Sequence, residues 1–87
     1  MSPQKFKSVR EKLGLTQEEL SDVLGLSGHK PISHFETGFR TPSLLTQALM
    51  SILDGLPERK AADMLELFRE HMDRVRKAAN RKSNARD

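Results

Sequence analysis

"GLSGHKPISHFETGFRTPS", residues 25–43, is the stretch whose reading decides the fold. It opens on Gly25-Leu26-Ser27, a turn in composition. Ile32 and Phe35 then stand three apart, the spacing of one inward face on a short amphipathic helix. Ser33 and His34 fall on the outward face. Pro31 disfavours helical geometry at the residue before it, so Lys30 is expected as a boundary. Pro31 itself suits the first helical position, where a missing N–H costs nothing. Gly28 can absorb unusual loop dihedrals ahead of it. Gly38 ends the helix, which is barely two turns long. Thr41-Pro42 then reads as a cap followed by a first-position proline, the start of another helix.

Upstream, two more helices are expected. The first starts with Ser2 as N-cap and Pro3 next, buries Phe6, Val9 and Leu13, and stops at Gly14. The second has a strong start signal. Thr16-Gln17-Glu18-Glu19 is a capping box, in which the Thr16 hydroxyl meets the Glu19 N–H and the Glu19 carboxylate reaches back. Leu15 and Leu20 can form the hydrophobic staple, and Leu20, Val23 and Leu24 make its inner face. Downstream, Leu45, Ala48, Leu49, Ile52 and Leu53 give the fourth helix an i, i+3, i+4, i+7 stripe. Gly55 and Pro57 break it. A fifth helix is expected over 57–80. No segment alternates like a strand, so the chain is all-α. It divides into a helical domain over 1–56, a C-terminal helix over 57–80 and a basic flexible tail over 81–87.

With 87 residues, one domain is the natural count. There is no cysteine, so no disulfide framework and no thiol nucleophile. No apolar run reaches the roughly 18 residues of a membrane span, and the start MSPQKFKS lacks a signal-peptide core. A cytoplasmic location is expected, with no membrane partner. No metal site is expected either: His29 and His34 flank Pro31 and need not share a face, His71 is distant, and HExxH is absent. Clustered ligands or an activated nucleophile would be needed for catalysis, so the chain is read as a non-enzyme with no cofactor. The net charge is only +3, but it is unevenly placed. Arg74, Arg76, Lys77, Arg81, Lys82 and Arg86 face one acid, Asp87, at the C-terminal end. Such an end can meet phosphates or stay solvated.

Two short helices joined by Gly25-Leu26-Ser27 form a helix-turn-helix. The second helix of such a unit holds the core with one face and offers polar side chains to a groove with the other. The run VREKLGLTQEELSDVLGLS and, after a short break, ISHFETGFRTPS resembles the Cro/C1-type (Xre, lambda-repressor-like) DNA-binding family. The resemblance is carried by Arg10, Leu15 to Leu20, Leu24 to Ser27, Ile32-Ser33, Glu36, Gly38, Arg40 and Pro42-Ser43, over roughly residues 5–53. One departure stands out. The family places three residues between the turn serine and the isoleucine of the third helix, whereas this chain has four, Gly28 to Pro31. The extra residue puts the register of base contacts in question, and brings His29 and Lys30 to DNA from a loop.

The resemblance implies a lambda-repressor-like domain and residue roles with it. Gln17, at the start of the second helix, grips a phosphate. Ser33 and His34 lie on the groove face, and His29 and Lys30 at its entry. Arg40, Thr41 and Ser43 stand before the fourth helix, another place for phosphate. Arg10 and Glu36 match a structural salt bridge between the first and third helices. The implied function is sequence-specific transcriptional regulation, a repressor on a palindromic operator of double-stranded DNA. The alternative is an antitoxin whose partner is a toxin. The fifth helix supplies a candidate dimer seam from its own spacing. Ala61, Leu65, Phe68, Met72, Val75 and Ala79 follow an a/d pattern. The homodimer expected from it would pair through Leu65, Phe68, Met72 and Val75.

Overall fold

The computed structural model describes the backbone of residues 1–86 and the side chains of residues 1–79. Its five helices are α1 (Pro3–Lys12), α2 (Gln17–Leu24), α3 (Lys30–Thr37), α4 (Leu44–Gly55) and α5 (Glu58–Arg86). Among the described residues there is no strand.

The helix starts follow the caps written in the sequence. The Ser2 side chain accepts from the Lys5 N–H at 3.1 Å. At α2, Glu19 N–H donates to the Thr16 hydroxyl at 3.1 Å, and Thr16 N–H donates to the Glu19 carboxylate at 2.9 Å, so both halves of the capping box form. That bond from Thr16 holds the Glu19 carboxyl below its ordinary value. Two starts differ from expectation. Lys30 is inside α3 as its first residue, with His29 as N-cap and Pro31 second. A proline is free of intrahelical obligations anywhere in the first turn, so one extra residue fits before it. α4 starts at Leu44 rather than after Thr41, because Ser43 is the better-placed cap and accepts from Thr46 N–H at 3.1 Å. Pro42 is buried in the connection instead.

Two apolar clusters join the helices. Phe6, Val9, Leu20, Ile32 and Met50 form one, with Phe35 packed against it. Phe6 and Phe35 meet edge to face, their centroids 5.6 Å apart, a favoured aromatic geometry. Val23, Leu53, Ala61 and Leu65 form the other, flanked by Leu49, Met64 and Phe68. α4 therefore bridges the clusters through Met50 and Leu53. Only two of the five residues of its expected stripe are packed. Leu53 is buried and Leu49 half-buried, but Leu45, Ala48 and Ile52 face solvent. The reason is that α4 is apolar almost all round, and the packed face runs through Met50 instead.

α5 continues to Arg86, past the residue 80 at which the sequence reading ends it. Its a/d stripe covers its own domain. Ala61 and Leu65 are buried, Met64 and Phe68 pack beside them, and Met72 lies over Gly25 at the end of α2. One turn on, Arg76 donates to the Asp22 carbonyl at 3.4 Å. Of the four residues assigned to a dimer seam, Leu65, Phe68 and Met72 thus engage the chain's own helices, and Val75 is exposed. Arg81, Lys82 and Arg86 of the basic end have side chains outside the described residues.

Gly25 has φ +73° in the left-handed region, and a Cβ there would sit 3.0 Å from the Met72 sulfur. Gly25→Ala combines backbone strain with a clash at the α2–α5 joint. It should lower stability by more than ~1 kcal/mol, read as a reduced urea midpoint at unchanged slope. Asp54 ties α4 to α1, accepting from Lys5 at 3.1 Å and from Lys12 at 3.2 Å. Those two hydrogen bonds, Lys5 first, hold its carboxyl below the ordinary aspartate value. A folded value below the unfolded one gives a contribution present at neutral pH and lost as pH falls through the ordinary aspartate range and below. Asp54→Asn should therefore lose less stability than wild type on acidification from about pH 6 to pH 3; thermal melts across that range measure it.

Candidate nucleic-acid interface

The site is built around one carboxylate. Glu36, near the end of α3, accepts from Arg10 Nε at 2.5 Å and from Arg10 Nη2 at 3.2 Å. Gln17 Nε2 donates to the same carboxylate at 3.0 Å. Arg10 spends its remaining fork on the Leu15 carbonyl, 2.8 Å away in the α1–α2 connection. The pair is largely desolvated, with the side chains of Arg10 and Glu36 12% and 4% exposed. A bidentate pair of this kind is directional as well as strong. It fixes where α3 lies against α1 and also where α2 begins. The expected Arg10–Glu36 salt bridge is therefore present, and Gln17 is part of it.

Gln17 is the residue expected to grip a phosphate. One of its amide hydrogens goes to Glu36, which leaves the second for an outside acceptor. It stands at the first position of α2, where the helix dipole favours an anion. Glu36 thus orients a half-exposed side chain.

The rest of the expected residues lie along α3 and the segment after it. His29 and Lys30 are exposed at the start of α3, while Ser33 and His34 are half-exposed on its outer side. α1, α2 and α4 close their N-termini with a serine or threonine hydroxyl, whereas α3 has no side-chain cap. Pro31 has no N–H to close, and the Lys30 N–H at the exposed start of the helix takes no side-chain cap. Arg40 and Thr41 are exposed beyond the end of α3. The Ser43 hydroxyl is occupied with Thr46, accepting from its N–H and donating to its Oγ1, both at 3.1 Å. Its contribution is to hold the start of α4.

One residue of this surface escapes the sequence reading. Phe39 is 72% exposed and lies against His34, ring centroids 4.7 Å apart. It follows the left-handed Gly38, outside any helical period, so pattern alone gives it no face. The available signal was chemical, an aromatic side chain between a helix end and an arginine. Its contact sets the His34 ring at the edge of the outer face.

These features define a helix-turn-helix DNA-binding domain, with α2 and α3 as the unit and α3 as its outward helix. The comparison with known families agrees: a helix-turn-helix family model matches residues 6–59. The chain belongs to that family, of the Cro/C1 type expected from the sequence. Among curated proteins it is similar to Antitoxin MqsA of Escherichia coli (strain K12), 38% identical over 58 residues. The match covers 67% of this chain and 44% of that protein, so less than half of the relative's length is spanned. No solved structure gives a significant match. No helix among the described residues is long and apolar enough to cross a membrane.

Glu36→Ala leaves a buried guanidinium uncompensated. The expected cost is ~3–5 kcal/mol, or a melting temperature lower by roughly 4–8 °C per kcal/mol in a domain this small. Calorimetry of the variant checks it. Gln17→Ala removes one amide donor and keeps the ion pair, so its melting temperature should fall far less.

Proposed function

We propose that the chain is a transcriptional repressor that occupies a palindromic operator as a dimer, working in the cytoplasm by binding and without catalysis. The observation that carries this reading is the shared carboxylate of Glu36, which holds the start of α2 and the outward helix α3 in one rigid frame. A frame of that kind separates two tasks. Gln17 and Arg40 stand at positions suited to phosphates, which set register and affinity. Lys30, Ser33 and His34 stand on the outward helix, where base edges are read. His29 and Thr41 flank these groups. The dimer reading is supported by the symmetry that such operators require, with half-sites about one helical turn, or ~34 Å, apart.

A second reading has its own support. Similarity to an antitoxin makes a toxin the natural protein partner, with DNA binding then serving the control of its own operon. Co-purification with the product of a neighbouring gene would favour it. Recovery of the chain alone, with tight operator binding, would favour the repressor.

Selection of bound duplexes from a random DNA pool supplies the site on which both tasks can be tested. Gln17→Ala should weaken binding to all duplexes about equally. Lys30→Ala and His34→Ala should cost ~1–3 kcal/mol at particular base pairs and relax preference there. Affinity should fall steeply between low and moderate salt as phosphate contacts release counterions. Affinity that is flat across that range, or base preferences unmoved by both Lys30→Ala and His34→Ala, would overturn the reading.

A further inference from the structure

α4 turns an uncharged apolar face to solvent. Leu44 is 83% exposed, Leu45 80% and Ile52 55%. Ala48, Ser51 and Gly55 are exposed alongside them. The single charge in the helix, Asp54, is held by Lys5 and Lys12 of α1. In a chain with 31% charged residues, a charge-free face of this kind has the composition of an interface core. We propose that a second copy of the chain packs here, α4 against α4, about a two-fold axis beside Ala48.

The spacing suits that symmetry. In a two-fold pair of antiparallel helices centred on one residue, the residue four before it meets the residue four after it in the partner. Centring on Ala48 sets Leu44 of one copy on Ile52 of the other, and Leu45 beside Ser51. Ala48 meets its own equivalent, and its small side chain permits an interaxial distance near the ~8 Å lower end for packed helices. The nearest charges, the Met1 ammonium on Gln47 and the Lys5 ammonium on Asp54, border the face and do not fill it. A foreign partner would need some polar or charged group to select it, and this face offers none at its centre. The α5 stripe is a poorer seam. Its buried part serves α2 and α4, and its exposed Val75 stands among Arg74, Arg76 and Lys77, which a two-fold crossing would set against their own copies.

Size decides how the pairing works. Three large aliphatic side chains and an alanine make a patch on the order of 300–400 Å², typical of functional patches on small proteins. A standard stable complex buries about 800 Å² per partner. The α4 pair is therefore weak alone, and becomes strong when adjacent half-sites hold two copies together and raise their effective concentration. The proposal rests on the dimeric operator reading for its role, though not for its geometry.

The absence of native cysteine makes the test clean. In the full chain, Ala48→Cys should form a disulfide-linked dimer under mild oxidation, more completely on the selected palindromic duplex, while Val75→Cys should not. The second arm is Leu45→Glu with Ile52→Glu, checked for folding by circular dichroism and melting. It should keep half-site affinity within about two-fold and lose the roughly 100-fold cooperative gain on the full site. Cross-linking through Val75→Cys in place of Ala48→Cys would overturn the proposal, as would full cooperativity in the double glutamate variant. A wild-type chain that binds no duplex would overturn the regulator reading instead, and the Ala48→Cys cross-link would still decide the pairing.

Discussion

The bidentate contact between Arg10 and Glu36 is the constraint on which the rest of the site depends. It crosses from α1 to α3, two helices separated by the whole of α2, and is shielded from water. Burying two charges is costly, and such a pair contributes less to stability than its geometry suggests. What it supplies is a single arrangement. A guanidinium with one fork on Glu36 and another on the Leu15 carbonyl leaves little freedom in how α1, the following connection and α3 meet. Gln17 joins the same carboxylate, so the start of α2 is set by the same group. The outward face of α3 is held from within by polar geometry, at the edge of a core that Ile32 anchors from the other side.

The two apolar clusters divide the labour differently. Phe6, Val9, Leu20, Ile32 and Met50 fasten the half that carries α3. Val23, Leu53, Ala61 and Leu65 close the opposite side with α5 as its cover. Without that cover Val23 and Leu53 would face water, so the first half of α5 belongs to the domain. A boundary drawn at residue 56 marks a change of direction in the chain and leaves the core intact across it.

Much of this was legible in the sequence because it was written locally. The Ser2 and Thr16 caps, the capping box and the glycine at each turn specify their own surroundings within four residues. Glu36 could be paired with Arg10 only through family resemblance, since twenty-six positions separate them. The errors fall where one pattern serves two purposes. α4 is apolar on nearly every side, so its period could not distinguish the face carrying Met50 from the face carrying Leu45 and Ile52. The α5 stripe has the same a/d spacing whether it meets another copy or its own α2. Ser43 and Thr41 are both good caps, and only the buried course of Pro42 selects between them. Phe39 belongs to no period, and its place beside His34 depends on the turn at Gly38.

The missing cap of α3 gives the outward helix an unusual dependence. Its neighbours finish themselves, each with a hydroxyl from its own chain. α3 is eight residues long, has Pro31 in its first turn and carries no side-chain cap. A phosphate or base acceptor arriving there would supply the bond that a serine or threonine supplies elsewhere. That acceptor would then act as the missing residue of the helix, which would be complete only while the acceptor is bound.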